Sequence, residues 1–295
     1  MIPTPSDGPQ AVANGIPLEL EPIEAGMYRG RPRITSSPMS SIFGGEVVAR
    51  ALRAAGDTVP ADRAVHSLHA YFLRRGDPRA AVLYRVENIR DGTSFTTRRV
   101  VAQQHGEAIL SMAASFHRAE TGLSHQVPVA DAPPAQSTPP AQQSPVAADS
   151  GFRSWLERLS ARFPIELRFV DPPPRVTASH AAPARFRFWM RTREALPPAP
   201  LIHACATAYA SDLLLLSTAA ARHGLVVDQP GLHLASLDHA VWFHGEIRAD
   251  DWLLYEQHTD WAGGARTLCR GAMFDPAGTL VASVIQEGLL RMRRP

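Results

Sequence analysis

The sequence predicts an α+β protein made of two tandem copies of one unit, a buried helix followed by four antiparallel strands that wrap it. Three observations carry this. First, the order of periodicities repeats: a helical stretch and four strand-like runs occupy residues 43–116, and the same order returns over residues 206–290. Second, short motifs recur at a nearly constant spacing. His69-Ala70-Tyr71-Phe72 and His239-Ala240-Val241-Trp242 lie 239 − 69 = 170 apart, Leu83-Tyr84 and Leu254-Tyr255 lie 254 − 83 = 171 apart, and Gly106 and Gly278 lie 278 − 106 = 172 apart. In that register Glu46 stands against Asp212, at 212 − 46 = 166. Third, residues 206–224, ATAYASDLLLLSTAAARHG, read as one long helix that is apolar nearly all round. Such a helix needs cover on every side, which a sheet wrapped around it supplies.

Taken in order, residues 1–17 have the composition of a disordered tail, and residues 18–28 alternate in part. A Pro- and Ser-rich loop at 31–41 leads into a helix of about four turns. Its buried face is Val47, Val48, Ala51, Leu52 and Ala55, with Gly45 near its start and Gly56 at its end. Strands follow at 65–73, with Leu68, Ala70 and Phe72 on one face, and at 81–89. Arg90-Asp91-Gly92 makes a turn into 93–103, and His105-Gly106 joins that run to 108–116 as a hairpin. Residues 119–150 are rich in Ala, Pro, Gln and Ser, a linker composition expected to be mobile in its middle. A short helix at 152–162 and strands at 165–170 and 184–191 precede the long helix. After it come strands at 232–243, 252–261, 265–274 and 279–290, the last two joined by the Asp275-Pro276-Ala277-Gly278 turn. The division is therefore a first repeat at 18–118, the linker at 119–150 and a second repeat at 151–295.

Composition bounds the function. The chain is 45% hydrophobic and 20% charged, as a water-soluble globular protein is, and its net charge of +2 is too small to argue for nucleic acid as a partner. Two distant cysteines, Cys205 and Cys269, give neither a disulfide framework nor a zinc site, and no cofactor is implied. The first residues have no basic n-region and no apolar core of a secretory signal, and Asp212 interrupts the only stretch near membrane-spanning length. A cytoplasmic setting without a membrane partner is the expectation.

The residue that stands out is Asp212. Three and four positions away on the helix lie Ala208, Tyr209, Leu215 and Leu216. Desolvating a lone carboxylate costs several kcal/mol or raises its pKa, so it is either paired locally or at work in a site. The helix alone leaves both readings open.

The motifs decide between them. IFGGEVV at 42–48, VHSLHAYFLRRGD at 65–77, RDGTSF at 90–95 and RRV at 98–100 resemble the acyl-CoA thioesterase II family. So do YASD at 209–212, SLDHAVWFH at 236–244 and VIQEG at 284–288. The resemblance spans residues 18–291 and implies a double hotdog, with two helix-wrapping repeats in one continuous sheet. It also implies hydrolysis of acyl-CoA, of medium to long chain, to a fatty acid and coenzyme A, and places the protein in lipid metabolism. The family's water-positioning Asp, Thr or Ser, and Gln fall on Asp212, Ser236 and Gln286, with Ser at a place where Thr is common. Gly44, Gly45 and Glu46 are expected at the substrate, though the family usually has Gln where this chain has Glu46. Arg98 and Arg266, at similar places in the two repeats, are candidates for the coenzyme A phosphates, a solvated strand face being the alternative. Open sheet edges imply a homo-oligomer.

The residues support this reading on their own terms. Gln286 is the one polar side chain on the face Leu280, Ala282, Val284, Gln286 and Gly288, and a buried amide without partners costs about 1–3 kcal/mol. Asp212, Ser236 and Gln286 are most economically satisfied by one another and a water, although a structural network would satisfy them too. A covalent Ser236 intermediate is disfavoured, since His239, three residues along a strand, should point to the opposite face. His66, His69, His239 and His244 read as structural strand histidines. The spacing of Asp228 and His233 fits an enoyl-CoA hydratase, but His239-Ala240 stands where Asn-Pro is expected. A non-catalytic acyl-CoA-binding protein is the third reading. Glu46 raises a further possibility, a second carboxylate site in the first repeat, completed by His66 or Ser67 and Ala114 or Ser115.

Overall fold

The computed structural model describes residues 15–32, 40–129, 131–178 and 183–292. The tail at 1–14, most of the 31–41 loop and the basic pair Arg293-Arg294 lie outside them. Residues 15–17, read as part of the tail, instead pack: Ile16 is buried, and the Pro17 carbonyl accepts from Arg50 Nε at 2.8 Å.

In chain order the elements are β1 (Glu21–Glu24), β2 (Met27–Gly30), α1 (Gly44–Gly56), β3 (Arg63–Phe72), β4 (Val82–Asp91), β5 (Phe95–Gln104), β6 (Glu107–Arg118), α2 (Ser150–Arg162), β7 (Ile165–Phe169), α3 (Pro174–Thr177), β8 (Arg185–Thr192), α4 (Pro200–Ser211), α5 (Leu215–Arg222), β9 (Leu232–Ser236), β10 (Asp238–Phe243), β11 (Leu253–Gly263), β12 (Arg266–Phe274) and β13 (Leu280–Met292). The strands form one sheet in the order β1-β2-β4-β5-β6-β3-β10-β13-β12-β11-β8-β7, with β9 also paired to β13. Read outward from the centre, β3-β6-β5-β4-β2-β1 on one side mirrors β10-β13-β12-β11-β8-β7 on the other. This is the tandem double hotdog that the motifs imply. At the β5–β6 hairpin both turn residues, His105 and Gly106, have positive φ, as a two-residue turn matched to strand twist requires.

The central pairing corrects the internal register by one residue. β3 and β10 run antiparallel with His69 opposite Ala240 and Leu68 opposite Val241. Leu68 and Ala70 are buried toward the helices, and so are His239 and Val241, whereas His69 and Tyr71 lie on the outer face. The repeats therefore superpose here with an offset of 240 − 69 = 171. Side chains alternate faces along a strand, so a slip of one position exchanges every inward residue for an outward one. In the corrected register Ser236, His239 and Gln286 correspond to Val65, Leu68 and Ala114, all apolar and buried. His66 and Ser115 do pair, at 2.8 Å, but beside Phe95 and His117 on the outer face, so these two do not join Glu46 in a site against α1.

The long helix is also two helices. α4 ends at Ser211, and α5 begins at Leu215 after Leu214 adopts the left-handed region at φ 63°. A bulky residue with positive φ is strained and persists only where its surroundings hold it. Here β11 does so: Tyr255 donates its hydroxyl to the Ser211 carbonyl at 2.7 Å, and Gln257 donates its amide to the Leu213 carbonyl at 2.8 Å. Those carbonyls would otherwise be orphaned in the core. The span from Pro200 to Arg222 is apolar enough to cross a membrane, but it lies mostly buried as the core of the second repeat.

The linker expected to be mobile is a strap. Gln126 donates to the Gly278 carbonyl and accepts from Leu280 N–H. The Pro133 carbonyl accepts from Trp189 Nε1 at 2.9 Å, and Ala135 packs with Trp189, Trp252, Leu254 and Phe274. This cluster lies on the sheet face away from the helices, because Phe188 and Tyr255, one position along, enter the main core. From residue 150 the chain turns to the helix side as α2.

Candidate active site

Four elements meet at the break between α4 and α5. Asp212 Oδ1 accepts from Gln286 Nε2 of β13 at 3.0 Å, and Asp212 Oδ2 accepts from the backbone N–H of Gly45, in the first turn of α1, at 2.9 Å. Gln286 Nε2 also donates to Ser236 Oγ, at the end of β9, at 2.6 Å. The three predicted side chains are therefore one hydrogen-bonded group, with Gly45 as a fourth member.

Two local features make this meeting possible. Gly45 lets α1 run against the end of α4: a Cβ there would stand 2.3 Å from the Tyr209 carbonyl oxygen and 2.6 Å from the Phe43 ring. A β-bulge separates β9 from β10. Ser236 pairs with Gly288, whereas Ala240 pairs with Ile285, so the register slips by one residue. Within the slip Leu237 N–H donates to the Glu287 carbonyl, and Glu287 N–H donates to Asp238 Oδ1. The slip turns Ser236 and His239 to the same face, which corrects the expectation that they point apart.

His239 is accordingly part of the group. Its Nδ1 lies 2.7 Å from Gln286 Oε1 and its Nε2 lies 2.7 Å from Ser211 Oγ. Sequence reasoning read His239 as structural and did not find Ser211, Tyr255 or Gln257. The available signal was that β11 carries Gln257 at an inward position among apolar neighbours.

The site has a wet front and a dry back. Asp212 and Ser236 keep partial solvent exposure, whereas Gln286, His239 and Ser211 are fully buried. Protein groups crowd the Asp212 carboxylate, which Gln286, Gly45 and the His239 ring surround. Burial therefore pushes its carboxyl above the usual carboxylate range, against His239, the Gln286 amide, the Gly45 N–H and the Ser236 hydroxyl, which all favour the ionised form. Burial likewise holds His239 below the ordinary histidine value, opposed by Asp212. The chemistry available is that of a weakly solvated carboxylate base beside a hydroxyl. No cluster of metal-ligating side chains occurs among the described residues.

The remaining candidates lie elsewhere. Gly44 borders the site, since a Cβ there would be 2.8 Å from Asp212 Oδ2. Glu46 turns away and forms a buried ion pair with Arg50 at 2.8 Å. Arg98 is 2% exposed and is consumed by Thr58, Asp91 and backbone carbonyls, so it staples the fold and cannot reach a phosphate. Arg266 pairs with Glu287 at 3.0 Å and faces the Trp261 ring, outside the site. Asp228 pairs with Arg175, and His233 lies 3.4 Å from Arg75, so the hydratase-like spacing builds no common site.

At the break between α4 and α5 a cavity of about 460 Å³ opens, its apolar wall including Phe43, Leu159, Phe163, Leu213, Leu214 and Val226. Phe43 adjoins Gly44, and Leu213 follows Asp212 in the chain. Arg158 and Arg162 of α2 line it too, as do Arg175 of α3 and its ion-pair partner Asp228.

Known proteins resemble the chain along nearly all its length. Family models described as the acyl-CoA thioesterase N-terminal domain and C-terminal domain match residues 35–117 and 129–290. The mouse protein named acyl-coenzyme A thioesterase 8 is 39% identical over 285 residues, covering 94% of this chain and 88% of its own. Acyl-CoA thioesterase 2 of Haemophilus influenzae is 34% identical over 278 residues, covering 93% and 95%. A crystal structure of an acyl-CoA thioesterase II from Mycobacterium marinum superposes with a TM-score of 0.75 at 40% identity, covering 94% of this chain and 98% of that one.

Proposed function

This chain belongs to the acyl-CoA thioesterase II family, and we propose that it hydrolyses acyl-CoA through a water held between Asp212 and Ser236. The observation that carries this is that one buried amide, Gln286, binds both groups while Asp212 and Ser236 are themselves only partly buried. Gln286 Nε2 can only donate, so Ser236 Oγ accepts from it and keeps its own proton to offer. Asp212 has one lone pair on each oxygen still unused. A water lodged between them donates to Asp212 and accepts from Ser236, which aims its remaining lone pair.

The water oxygen attacks the thioester carbonyl carbon while its proton passes to Asp212. The carbonyl oxygen becomes an oxyanion. The Gly44 N–H, one residue before the Gly45 N–H that holds Asp212, is the first-turn donor of α1 that we assign to it, since the Glu46 and Val47 N–H groups donate to the Phe43 carbonyl. Collapse of the intermediate breaks the C–S bond, and the departing thiolate takes the proton back from Asp212. The products are a carboxylic acid and coenzyme A. A covalent route through Ser236 finds no support, because His239 is engaged by Gln286 and Ser211 and no other imidazole among the described residues bonds Ser236.

The apolar wall of the cavity at the helix break suits a medium- to long-chain acyl group, and Arg158 and Arg162 in its lining suit the phosphates of coenzyme A. The test is thiol release from acyl-CoAs of graded chain length. Asp212→Asn should lower kcat by about 10²–10⁴-fold, the usual worth of a positioned base, and long chains should be preferred to acetyl-CoA. An Asp212→Asn enzyme with parental turnover would refute the assignment.

A further inference from the structure

The hydrogen bonds behind Gln286 run in one direction, and the geometry points to His239 as the positioning residue that holds this amide in its working orientation. The inference rests on Asp212, Ser236 and Gln286 being the hydrolytic group.

Gln286 can do its work in one orientation only. Its two N–H bonds go to Asp212 and Ser236, at 3.0 and 2.6 Å. Turned over, it would present its carbonyl oxygen to a carboxylate oxygen, two acceptors in contact, and its N–H groups to the imidazole. Gln286 is fully buried, so no water is at hand to make good that loss. In the working orientation Oε1 needs a donor, and the atom 2.7 Å away is His239 Nδ1. His239 must therefore carry its proton on Nδ1.

The next bond accommodates that tautomer, since a serine hydroxyl can donate as well as accept. His239 Nε2 lies 2.7 Å from Ser211 Oγ. The ring is fully buried, which favours its neutral form, so with the proton on Nδ1 the Nε2 atom accepts from the Ser211 hydroxyl. The Ala208 carbonyl, at 2.9 Å, is a longer alternative acceptor for the same proton. Ser211 is itself fixed, because its carbonyl is bound by Tyr255 at the helix break. The donors then read Ser211 to His239, His239 to Gln286, and Gln286 to Asp212 and Ser236. Each bond sets the direction of the next, and the last hydroxyl proton, that of Ser236, is left to face the reacting water. In the first repeat Leu68 and Ala114 stand at the positions of His239 and Gln286, so only the second half carries the chain.

The role separates from mere packing by its dependence on the Nδ1 donor. Asn at 239 places an amide N–H near the position of Nδ1, whereas Leu fills the space and donates nothing. His239→Leu should lower kcat roughly 10- to 100-fold with KM little changed, the range expected when a buried partner of a working group is lost. His239→Asn should recover most of that loss. Ser211→Ala, a smaller perturbation, should lower kcat by about 3- to 10-fold. ¹⁵N NMR of the parent enzyme should show His239 neutral and protonated on Nδ1. A folded His239→Leu enzyme with parental kcat, an Asn variant as slow as the Leu variant, or an imidazolium or Nε2–H imidazole in the spectrum would overturn the role. If the Leu variant does not fold, Ser211→Ala and the spectrum decide. Asp212→Asn in the same assay separates the two claims: if it stays active, the site assignment fails, whereas an inactive Asp212→Asn beside a fully active His239→Leu removes only the positioning role.

Discussion

Gly44→Ala is the most direct probe of how closely α1 approaches the carboxylate. The added Cβ would lie 2.8 Å from Asp212 Oδ2 and 3.0 and 3.1 Å from two atoms of the Phe72 ring. Ordinary contact begins near 3.4–3.5 Å, so the carboxylate must retreat by about 0.6 Å. Asp212 Oδ2 is held at 2.9 Å by Gly45 N–H and Oδ1 at 3.0 Å by Gln286, and the movement stretches or rotates both bonds. A misplacement of about 1 Å at reacting groups costs on the order of 100-fold. A shift of roughly half that predicts a 10- to 100-fold fall in kcat. The fold should tolerate the change, because Gly44 has ordinary backbone angles, Ala favours a helix over Gly by about 1 kcal/mol, and a carboxylate end can move. Gly45→Ala is the contrast. Its Cβ would meet the Tyr209 backbone oxygen at 2.3 Å, so α1 and α4 must separate, which is expected to destabilise the protein by about 1–3 kcal/mol or more. Thiol-release kinetics paired with thermal unfolding read both effects. A folded Gly44→Ala enzyme with kcat within twofold of the parent would refute the close packing of Gly44 on the base.

Three further outcomes are expected. Because Asp212 must be ionised to accept a proton and burial raises its pKa, kcat/KM should fall with decreasing pH along a limb centred above the ordinary carboxylate value of about 4; a limb at or below that value, with substrate intact, contradicts the desolvated base. Glu46→Gln leaves Arg50 as an uncompensated buried charge, so stability should drop by about 2–4 kcal/mol while turnover per folded molecule holds; reduced turnover at unchanged stability would return Glu46 to the site. Arg158→Glu with Arg162→Glu should raise KM for acyl-CoA about 5- to 10-fold at low salt, less at high salt, with kcat unchanged; an equal rise for an acyl thioester lacking the nucleotide would argue against phosphate contacts.

Much of the architecture was legible because it rests on periodicity. The α1 face Val47, Val48, Ala51, Leu52 and Ala55 is fully or almost fully buried, and the strands fall within a few residues of their expected limits. The motifs also brought Asp212, Ser236 and Gln286 forward together. What escaped were departures from periodicity. The bulge at Leu237 inserts one residue, so counting along the strand from Ser236 put His239 on the wrong face. The same kind of slip, 170 against 171, made His66 and Ser115 look like partners for Glu46. Arg98 and Arg266 show a different limit, for the sequence does not say whether a strand arginine meets solvent, a carboxylate or a backbone carbonyl.

The sequence by itself determined the duplication, the two apolar helices and the identity of three polar groups in the second half. These are local or pairwise properties: alternation, helical spacing, and residue types that recur in step. Only the tertiary structure decided where the long helix breaks, because residues 206–223 contain neither glycine nor proline. The break exists because Tyr255 and Gln257, more than 40 positions away on β11, bind the carbonyls of Ser211 and Leu213. It also decided that Gly45 holds Asp212, across a sequence separation of 167. A buried polar group is satisfied by whichever donor the packing brings within 3 Å, and that choice belongs to the assembled core.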